Sequence, residues 1–518
     1  MSFLVLFTLT IHYGLVLILC IYGAHRIYHA MTSRRLIKTV MEAGEKTEIS
    51  KDYTPAVTVQ IPLYNEKFVV ERIIDRICQL DYPKEKLQIQ IIDDSTDESI
   101  DIVAKRVAYH KARGLNIEHV RRQNRLGYKA GALAAAMDKV TGEFIAIFDA
   151  DFLPDSDFLT KTVPAFQDSD VGLVQARWGY LNGEKNALTK LQTVMLDAHF
   201  GIEQVTRHGR GVYFNFNGTA GIWRKSTIED AGGWNADTLT EDTDLSYRAQ
   251  MKGWKFIYRP DIVCRSEIPE NMQAFKAQQH RWAKGTIEVM KKLLKTIWSA
   301  PIAMKNKVEA SLHLTANVTY LFMFVDSLFF LLPSIHFRQS ADFSLLTWLD
   351  IPIFAFASLS HAYFFMSGQK RLHGSILKKL HILPVLLATS IGLGVNNGRA
   401  VIEALIGHKT GFVRTPKIGQ SAKSNLLKST YKANSQTWSS VLELAMAVLY
   451  SIFLVWAVYK TYWIVTPFLI LFALGFYYTS LTSLSESVQM RFNRKSKPKI
   501  FPSIGMDNLS LGSQNSSI

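Results

Sequence analysis

The sequence predicts an α/β domain joined to membrane-spanning helices. Between residues 50 and 290, short apolar runs alternate with polar, helix-like stretches, which is the pattern of an α/β domain. Outside that range, long apolar runs recur, and their lengths suit a bilayer core of roughly 30 Å. The 518 residues are 48% hydrophobic and 20% charged, a mixture expected when one chain holds both kinds of domain.

The net charge of +15 does not by itself indicate nucleic-acid binding. Many Lys and Arg residues stand beside the apolar runs, where membrane topology places them. The three cysteines, Cys20, Cys78 and Cys264, are scattered along the chain. They form neither a disulfide framework nor a metal-ligand cluster.

The first apolar run, "FLVLFTLTIHYGLVLILCIYGA" at residues 3–24, contains no charged residue. No Lys or Arg precedes it, whereas four basic residues follow it between positions 26 and 38. A signal peptide has the opposite arrangement and a shorter core. We therefore expect residues 1–30 to be a retained anchor whose C-terminal side faces the cytoplasm.

Five further apolar runs follow the α/β domain, near 312–335, 346–367, 380–402, 439–459 and 462–485. The run at 380–402 contains Pro384, Gly392, Gly394 and the polar "VNNGRA". We expect it to be an interfacial or re-entrant segment, which gives five spans, with a sixth ordinary span as the alternative. The expected divisions are an amphipathic interface helix at 284–310, transmembrane hairpins at 311–368 and 438–487, an interfacial segment at 376–437, and a basic then disordered tail at 488–518.

Three predicted strands of the α/β domain each run into acidic residues. They are "AVTVQIPLYNE" (56–66), "LQIQIIDDSTDES" (87–99) and "EFIAIFDADFLP" (143–154). In parallel α/β sheets, ligands bind beyond the carboxyl ends of the strands. A single acidic strand end is typical of a solvated turn, but three in succession predict a carboxylate-rich cleft.

Such a cleft repels an anionic nucleotide diphosphate unless a divalent cation lies between them. Carboxylate oxygens suit Mg²⁺ or Mn²⁺, which also bind diphosphate oxygens. The sequence has no G-x-x-x-x-G-K-[ST] loop, which disfavours a P-loop nucleotidase. In "NRLGYKAGAL" (124–133), Lys129 stands between two glycines and could meet a phosphate or a sugar hydroxyl. A surface lysine at a helix N-terminus is the alternative.

Two further segments carry candidate chemistry. In "LTEDTDLSYRAQMKGWKF" (239–256), Glu241, Asp242 and Asp244 precede or open a helix. Helix capping explains one acid there but not three, so one of them is a candidate general base. In "AQQHRWAKG" (277–285), Trp282 can stack on a sugar ring and Arg281 can meet a diphosphate. The alternative for this segment is an amphipathic helix at the membrane surface.

Eight motifs in one order resemble the family 2 glycosyltransferases: "QIPLYNE", "DDSTD", "GYKAGAL", "FDADF", "LVQARW", "FNGTAGIWR", "TEDTDL" and "QQHRW". The narrower resemblance is to the cellulose-synthase-like A and C proteins of plants and their bacterial relatives. That group makes β-linked mannan, glucomannan or glucan backbones. The resemblance implies a GT-A fold with an inverting mechanism. It covers residues 56–290 densely and the C-terminal half only loosely.

The resemblance also implies residue roles. Asp242 matches the catalytic base, with Glu241 beside it, and Asp149 and Asp151 match the metal-binding D-x-D. Donor or nucleotide contacts are implied for Tyr64, Glu66, Asp94, Lys129, Asp149, Gln278 and Arg281. Acceptor contacts are implied for Trp282, Gly218 and Thr219. "FVRTPK" (412–417) resembles a gating loop through Phe412, Thr415 and Lys417, but it departs at Arg414, where Val is usual.

The leading hypothesis is a membrane β-glycosyltransferase that extends a polysaccharide from UDP-glucose or GDP-mannose and passes it through its own helices. Transfer of one sugar to a ceramide or diacylglycerol is the alternative. A transport or scaffold protein with an inactive domain is disfavoured, because the D-x-D and TED acids are intact. We expect a cytoplasmic catalytic domain, in a bacterial inner membrane rather than a Golgi membrane. An accessory export subunit or a homo-oligomer is left open.

Overall fold

The computed structural model describes residues 3–45, 53–338, 344–411, 417 and 437–495. A seven-stranded mixed sheet forms the centre of the α/β domain, in the order β3-β2-β1-β4-β6-β5-β7. The strands are β1 (Val57–Leu63), β2 (Leu87–Asp93), β3 (Asn116–Val120), β4 (Phe144–Ile147), β5 (Val171–Tyr180), β6 (Gly221–Arg224) and β7 (Lys255–Ser266). Strand β6 runs antiparallel to both its neighbours, while the other pairs are parallel.

Eighteen α-helices occur in the described ranges. Those up to the end of the α/β domain are α1 (Phe3–Glu45), α2 (Val70–Ile77), α3 (Ser99–Lys111), α4 (Tyr128–Ala136), α5 (Phe158–Thr162), α6 (Ala187–Ala198), α7 (Val205–Gly209), α8 (Lys225–Asp230), α9 (Glu241–Met251) and α10 (Met272–Ser299). The rest are α11 (Met304–Thr315), α12 (Val318–Val325), α13 (Leu331–Arg338), α14 (Ser344–His373), α15 (Leu377–Leu380), α16 (Leu383–Leu405), α17 (Thr437–Tyr459) and α18 (Thr466–Lys495). Short 3-10 turns span Lys84–Lys86, Met137–Lys139 and Val163–Gln167, and π-helical turns span His199–Gln204 and Asp326–Phe330.

Strand β4 lies inside the sheet and is buried on both faces, which explains why it is apolar at successive positions. Alternate residues of β4 show this directly. Phe144 and Ala146 pack into one apolar cluster with Ile61, while Ile145 and Ile147 pack into a second cluster on the opposite face. The prediction of an α/β domain from these runs is confirmed.

Helix α1 extends well beyond the anchor predicted at residues 1–30. Its C-terminal part leaves the apolar run and packs on the α/β domain, where Leu36, Ile37 and Val40 join the second apolar cluster. Leu36 also lies against Gly209 at the end of α7. The helix therefore continues because its later turns bury apolar side chains against the domain.

Among the residues that the structure describes, six helical segments are long and apolar enough to cross a membrane, judged by length and composition. They are Phe3–Glu42, Val318–Arg338, Ile351–His373, Leu383–Leu405, Trp438–Tyr459 and Thr466–Gln489. The segment Leu383–Leu405 is an unbroken helix, because Pro384 stands in its first turn, where proline is tolerated. It is also the most buried of the six. The choice between an interfacial segment and a sixth span at this position stays a prediction.

Helix α10 connects the α/β domain to the C-terminal helices. Its first backbone N–H groups, at Met272 and Gln273, donate to the carboxylate of Glu486 on α18 at 2.7 and 3.0 Å. Lys276 forms a buried ion pair with Glu443 on α17 at 2.7 Å. The interface helix predicted at 284–310 is therefore divided between two helices, α10 and α11. These contacts anchor the N-terminal part of α10 to α17 and α18.

Helices α16 and α18 approach each other at two glycines, which gives a stability prediction. A methyl group added at Gly475 would collide with the backbone carbonyl of Ala388, and one added at Gly392 would collide with that of Gly475. We expect Gly475→Ala to separate the helices and destabilise the protein by about 1–3 kcal/mol, the usual cost of overpacking. The thermal unfolding temperature of the detergent-purified protein measures this.

Gly14→Ala is the matched control, because a methyl group at that position of α1 meets no atom within 4 Å. Equal unfolding temperatures for the two variants would show that the α16–α18 approach does not require glycine.

Candidate active site

The acidic strand ends meet at one edge of the sheet, as predicted. Strands β2, β1 and β4 are adjacent and parallel, so their carboxyl ends point the same way. The backbone N–H of Asp94 donates to the carbonyl of Leu63 at 3.0 Å, which places the ends of β1 and β2 side by side. Asp149 and Asp151 follow β4 on the other side of β1.

Each aspartate of the D-x-D is held by a lysine ammonium. Lys129 donates to the Asp149 carboxylate and, at 2.7 Å, to the carbonyl of Gly218. Lys417 donates to Asp151 Oδ2 at 2.7 Å and to the carbonyl of Glu267 at 2.8 Å. Lys129 therefore lies inside the site and is not a surface residue.

The two aspartates remain the predicted ligands of a divalent cation. Burial raises the pKa of Asp151, and the negative charges of Asp149 and Glu267 raise it further, while Lys417 opposes the rise. A carboxylate in this position needs a nearby positive charge to stay ionised. Asp149 and Asp151 together supply the oxygen ligands that Mg²⁺ and Mn²⁺ prefer.

The candidate base lies at the start of α9. Asp242 Oδ1 accepts a hydrogen bond from the backbone N–H of Thr243 at 2.7 Å. Burial, together with the negative charge of Glu241, raises the pKa of Asp242 to about 7. Burial also raises the pKa of Glu241, while Lys129 and Arg281 lower it. A carboxylate with a pKa near 7 is well matched to proton removal at neutral pH.

The "QQHRW" segment lies on α10, across the cleft from α9. Burial lowers the pKa of Arg281, and the carboxylates of Glu241, Asp149 and Asp242 raise it, so this guanidinium faces the acidic cluster. Gln278 and Trp282 instead line a cavity next to Asp242. The helix thus directs a cation at the acids and an aromatic ring into the cavity.

Two arginines contact residues that are predicted to bind the nucleotide. Arg122 binds the Asp94 carboxylate through Nε and Nη2, both at 2.7 Å. The guanidinium carbon of Arg125 lies 3.3 Å from the centre of the Tyr64 ring. The carbonyl of Glu66 accepts hydrogen bonds from the first turn of α2, so this residue lies where β1 passes into that helix.

The loop at 217–219 joins the two sides of the cleft. Gly218 has φ +80°, a conformation that favours glycine. A Cβ atom at this position would lie 3.0 Å from Asp242 Oδ2, so only glycine leaves room for the Asp242 side chain. Thr219 accepts a hydrogen bond from the backbone N–H of Asp149 at 2.9 Å. Thr219 is fully buried behind the D-x-D, and the residue of this loop that lines the cavity is Asn217.

The cavity beside Asp242 has a volume of about 450 Å³ and reaches into the membrane helices. Asp242, Gln278 and Trp282 line one end of it. Its lining also includes residues of α1, α14 and α18, among them Tyr22, Phe354 and Phe468. A single space therefore connects the candidate base with the interior of the membrane region.

The site contains residues that sequence analysis did not single out. They are Arg122, Arg125, Glu267 and Asn217. Arg122 and Arg125 could have been identified from the sequence, since both closely precede the motif "GYKAGAL". No sequence pattern indicates Glu267, because its contact with Lys417 joins positions 150 residues apart. Of the candidate gating loop, Lys417 reaches the D-x-D, whereas Phe412 and Thr415 lie outside the described residues.

Residues 55–285 match the sequence profile described as "Glycosyltransferase like family 2". A "Probable glucomannan 4-beta-mannosyltransferase 1" of Arabidopsis thaliana is 34% identical over 407 residues, which cover 76% of this chain and 70% of the relative. The chain belongs to the family 2 glycosyltransferases. Within that family it belongs to the cellulose-synthase-like A/C group, and it is a hexosyltransferase of polysaccharide synthesis.

Other proteins are similar to this chain over part of its length. "Glucomannan 4-beta-mannosyltransferase 1" of Cyamopsis tetragonoloba is 42% identical over 277 residues, and the matched region spans about half of either chain, 52%. Among solved structures, "Mannosyltransferase PcManGT from Pyrobaculum calidifontis in complex with GDP-Man and Mn2+" is similar with a TM-score of 0.45 and 20% identity, over 76% of this chain and 100% of that one. The predicted GT-A fold is confirmed by the family match and the mixed seven-stranded sheet.

The raised pKa of Asp242 predicts the pH dependence of the family 2 enzyme. Only the ionised carboxylate accepts a proton, so the rate of transfer should fall as the pH drops below about 7. Glu241→Gln removes a negative charge that raises this pKa, so we expect the acidic midpoint of the profile to move to lower pH. A pH profile of kcat/KM measures the midpoint.

Glu229→Gln on α8 is the control, because it removes an exposed glutamate at a distance from the acidic cluster. An unshifted midpoint in Glu241→Gln would show that Glu241 does not set the pKa of the base.

Proposed function

We propose that this enzyme transfers mannosyl units from a nucleotide sugar to a growing β-linked polysaccharide, and that it does so processively. The cavity that connects Asp242 and Trp282 with the membrane helices carries the proposal, because it offers a path for a long acceptor. The relatives named as glucomannan 4-β-mannosyltransferases support mannose as the transferred sugar, so of the two expected donors we favour GDP-mannose over UDP-glucose.

In the proposed reaction, Asp242 removes the proton from the acceptor hydroxyl as that oxygen attacks the anomeric carbon. The bond to the diphosphate breaks at the same time, so an α-linked donor gives a β-linked product. Lys129 and Arg281 bring positive charge to the departing diphosphate. A Mg²⁺ or Mn²⁺ ion bound by Asp149 and Asp151 would neutralise further charge on that group. Trp282 offers its ring to the terminal sugar of the acceptor.

The proposed topology places the catalytic domain on the cytoplasmic side. Arg26, Arg34 and Arg35 follow the apolar run at residues 3–24 and favour the cytoplasm at its C-terminal end. Lys417, the described residue of the candidate gating loop, contacts Asp151 of the catalytic domain, so Lys417 lies on the same side of the membrane as that domain. The donor thus enters from the cytoplasm, and the acceptor extends into the membrane.

Removal of the base tests the chemistry. We expect Asp242→Asn to lower kcat at least about 100-fold, the low end of the usual contribution of general base catalysis. Binding of the donor should be unchanged, because Asp242 faces the acceptor cavity. Isothermal titration with the donor and a radiolabel transfer assay measure the two quantities separately. Near-normal turnover would contradict the assignment of the base.

Asp230→Asn on α8 controls for loss of an aspartate, since Asp230 pairs with Lys252 on the surface.

Analysis of the product tests the substrate class. We expect purified enzyme with Mg²⁺ or Mn²⁺ to incorporate mannose from GDP-mannose into a β-linked polymer. A donor screen, gel filtration of the product and linkage analysis measure this. A single sugar on an extractable lipid would refute processivity and support the alternative of a lipid acceptor.

A further inference from the structure

A buried polar pair links α1 to the turn after α12. His12 Nδ1 hydrogen-bonds Asp326 Oδ1 at 2.8 Å. His12 is 0% exposed and Asp326 is 5% exposed. The other ring nitrogen of His12, Nε2, is buried without a hydrogen-bond partner in the described part of the chain.

The pair lies in two candidate membrane spans, Phe3–Glu42 and Val318–Arg338. Ionisable side chains are costly at such positions and commonly mark a substrate path. Asp326 is also the first residue of the π-helical turn Asp326–Phe330, and π turns inside helices often occur at functional sites. A purely structural role, in which the pair only holds two helices together, would require neither the π turn nor contact with a cavity.

Asp326 does line the cavity that begins at Asp242. So does Phe354, whose ring centre lies 6.1 Å from that of His12. The cavity also meets α1 at His25, thirteen residues from His12, which corresponds to about 20 Å along the helix. The pair therefore stands deep in the membrane part of the same space.

We propose that Asp326, oriented by His12, is a binding subsite for the glycan at the membrane end of the cavity. A neutral glycan presents hydroxyl donors along its edges and apolar faces on its rings. The Asp326 carboxylate accepts the hydroxyl hydrogen bonds, and Phe354 packs against a ring face. This inference rests on the proposed function. It adds a site that holds the exiting chain and takes no part in bond formation.

The position of the subsite has a kinetic consequence. A short acceptor bound at Trp282 ends before it reaches Asp326, so the subsite contributes nothing to its binding. A longer chain fills both positions and dissociates more slowly. Asp326 therefore affects the length of the product and leaves the first transfers unchanged.

Asp326→Asn tests this, because the amide can still pair with His12 but loses the charge that strengthens hydroxyl binding. We expect the mean polymer length to fall roughly tenfold, which corresponds to the loss of one charge-assisted hydrogen bond. The kcat/KM for a mannobiose acceptor and the thermal unfolding temperature should match those of the unmutated enzyme. Gel filtration of the labelled product, made at fixed donor and enzyme concentrations, measures the length.

Ser334→Ala is the matched control. Ser334 is a buried polar residue of the same span, and its hydroxyl donates to the carbonyl of Leu331 at 2.7 Å, within its own helix. If Asp326→Asn does not fold, His12→Gln replaces it, and we expect the same shortening because the carboxylate loses its imidazole partner.

Three outcomes overturn the inference. One is a polymer of unchanged length in Asp326→Asn, or in His12→Gln where that variant replaces it. Another is a parallel loss of mannobiose transfer and thermal stability, which would make the pair a structural contact. The third is an unmutated enzyme that adds one sugar and stops, which would refute the proposed function and the subsite together. Unchanged length alone refutes only the subsite.

Discussion

The attachment of helix α10 to the membrane helices is the constraint on which the rest of the structure depends. The helix carries Arg281 and Trp282, yet its own partners are the carboxylates of Glu486, Glu443 and Glu403 on three different membrane helices. Removing one partner of the buried pairs Lys276–Glu443 or Lys284–Glu403 would weaken the charge compensation of the other, at a cost of several kcal/mol. The tryptophan and the cavity that it borders are therefore held in one fixed relation.

The negative charge of the cleft is partly neutralised by positive side chains that come from separate parts of the chain. Four carboxylates, Glu241, Asp242, Asp149 and Asp151, lie within reach of Lys129, Arg281 and Lys417. The balance is incomplete at Asp242, whose pKa is raised because burial and Glu241 outweigh the nearby cations. The same cluster of acids that makes the D-x-D a candidate cation site thus leaves Asp242 protonatable near neutral pH.

Sequence analysis could locate the acids because strands and their ends are local features. An apolar run such as "FIAIF" predicts a buried strand by itself, and parallel neighbours bring its end to a known edge. Sequence analysis could not predict that Thr219 turns away from the cavity or that Lys417 reaches Asp151, because these contacts join distant segments. The extension of α1 to Glu45 was missed for a similar reason, since it depends on packing against α7 and the second apolar cluster.

The direction of the cavity limits how a polymer could grow. The hydroxyl that attacks must lie at Asp242, and from there the space leads towards α14 and α18. Under the proposed processive mechanism, a sugar that has just been added occupies the place where the next donor reacts, and the chain must move by one unit before another transfer. Hydroxyls are costly to expose to hydrocarbon, so this movement is feasible only along a wall that offers polar partners at intervals. Tyr22, Thr319 and Asp326 supply such partners, spaced along two helices that line the cavity.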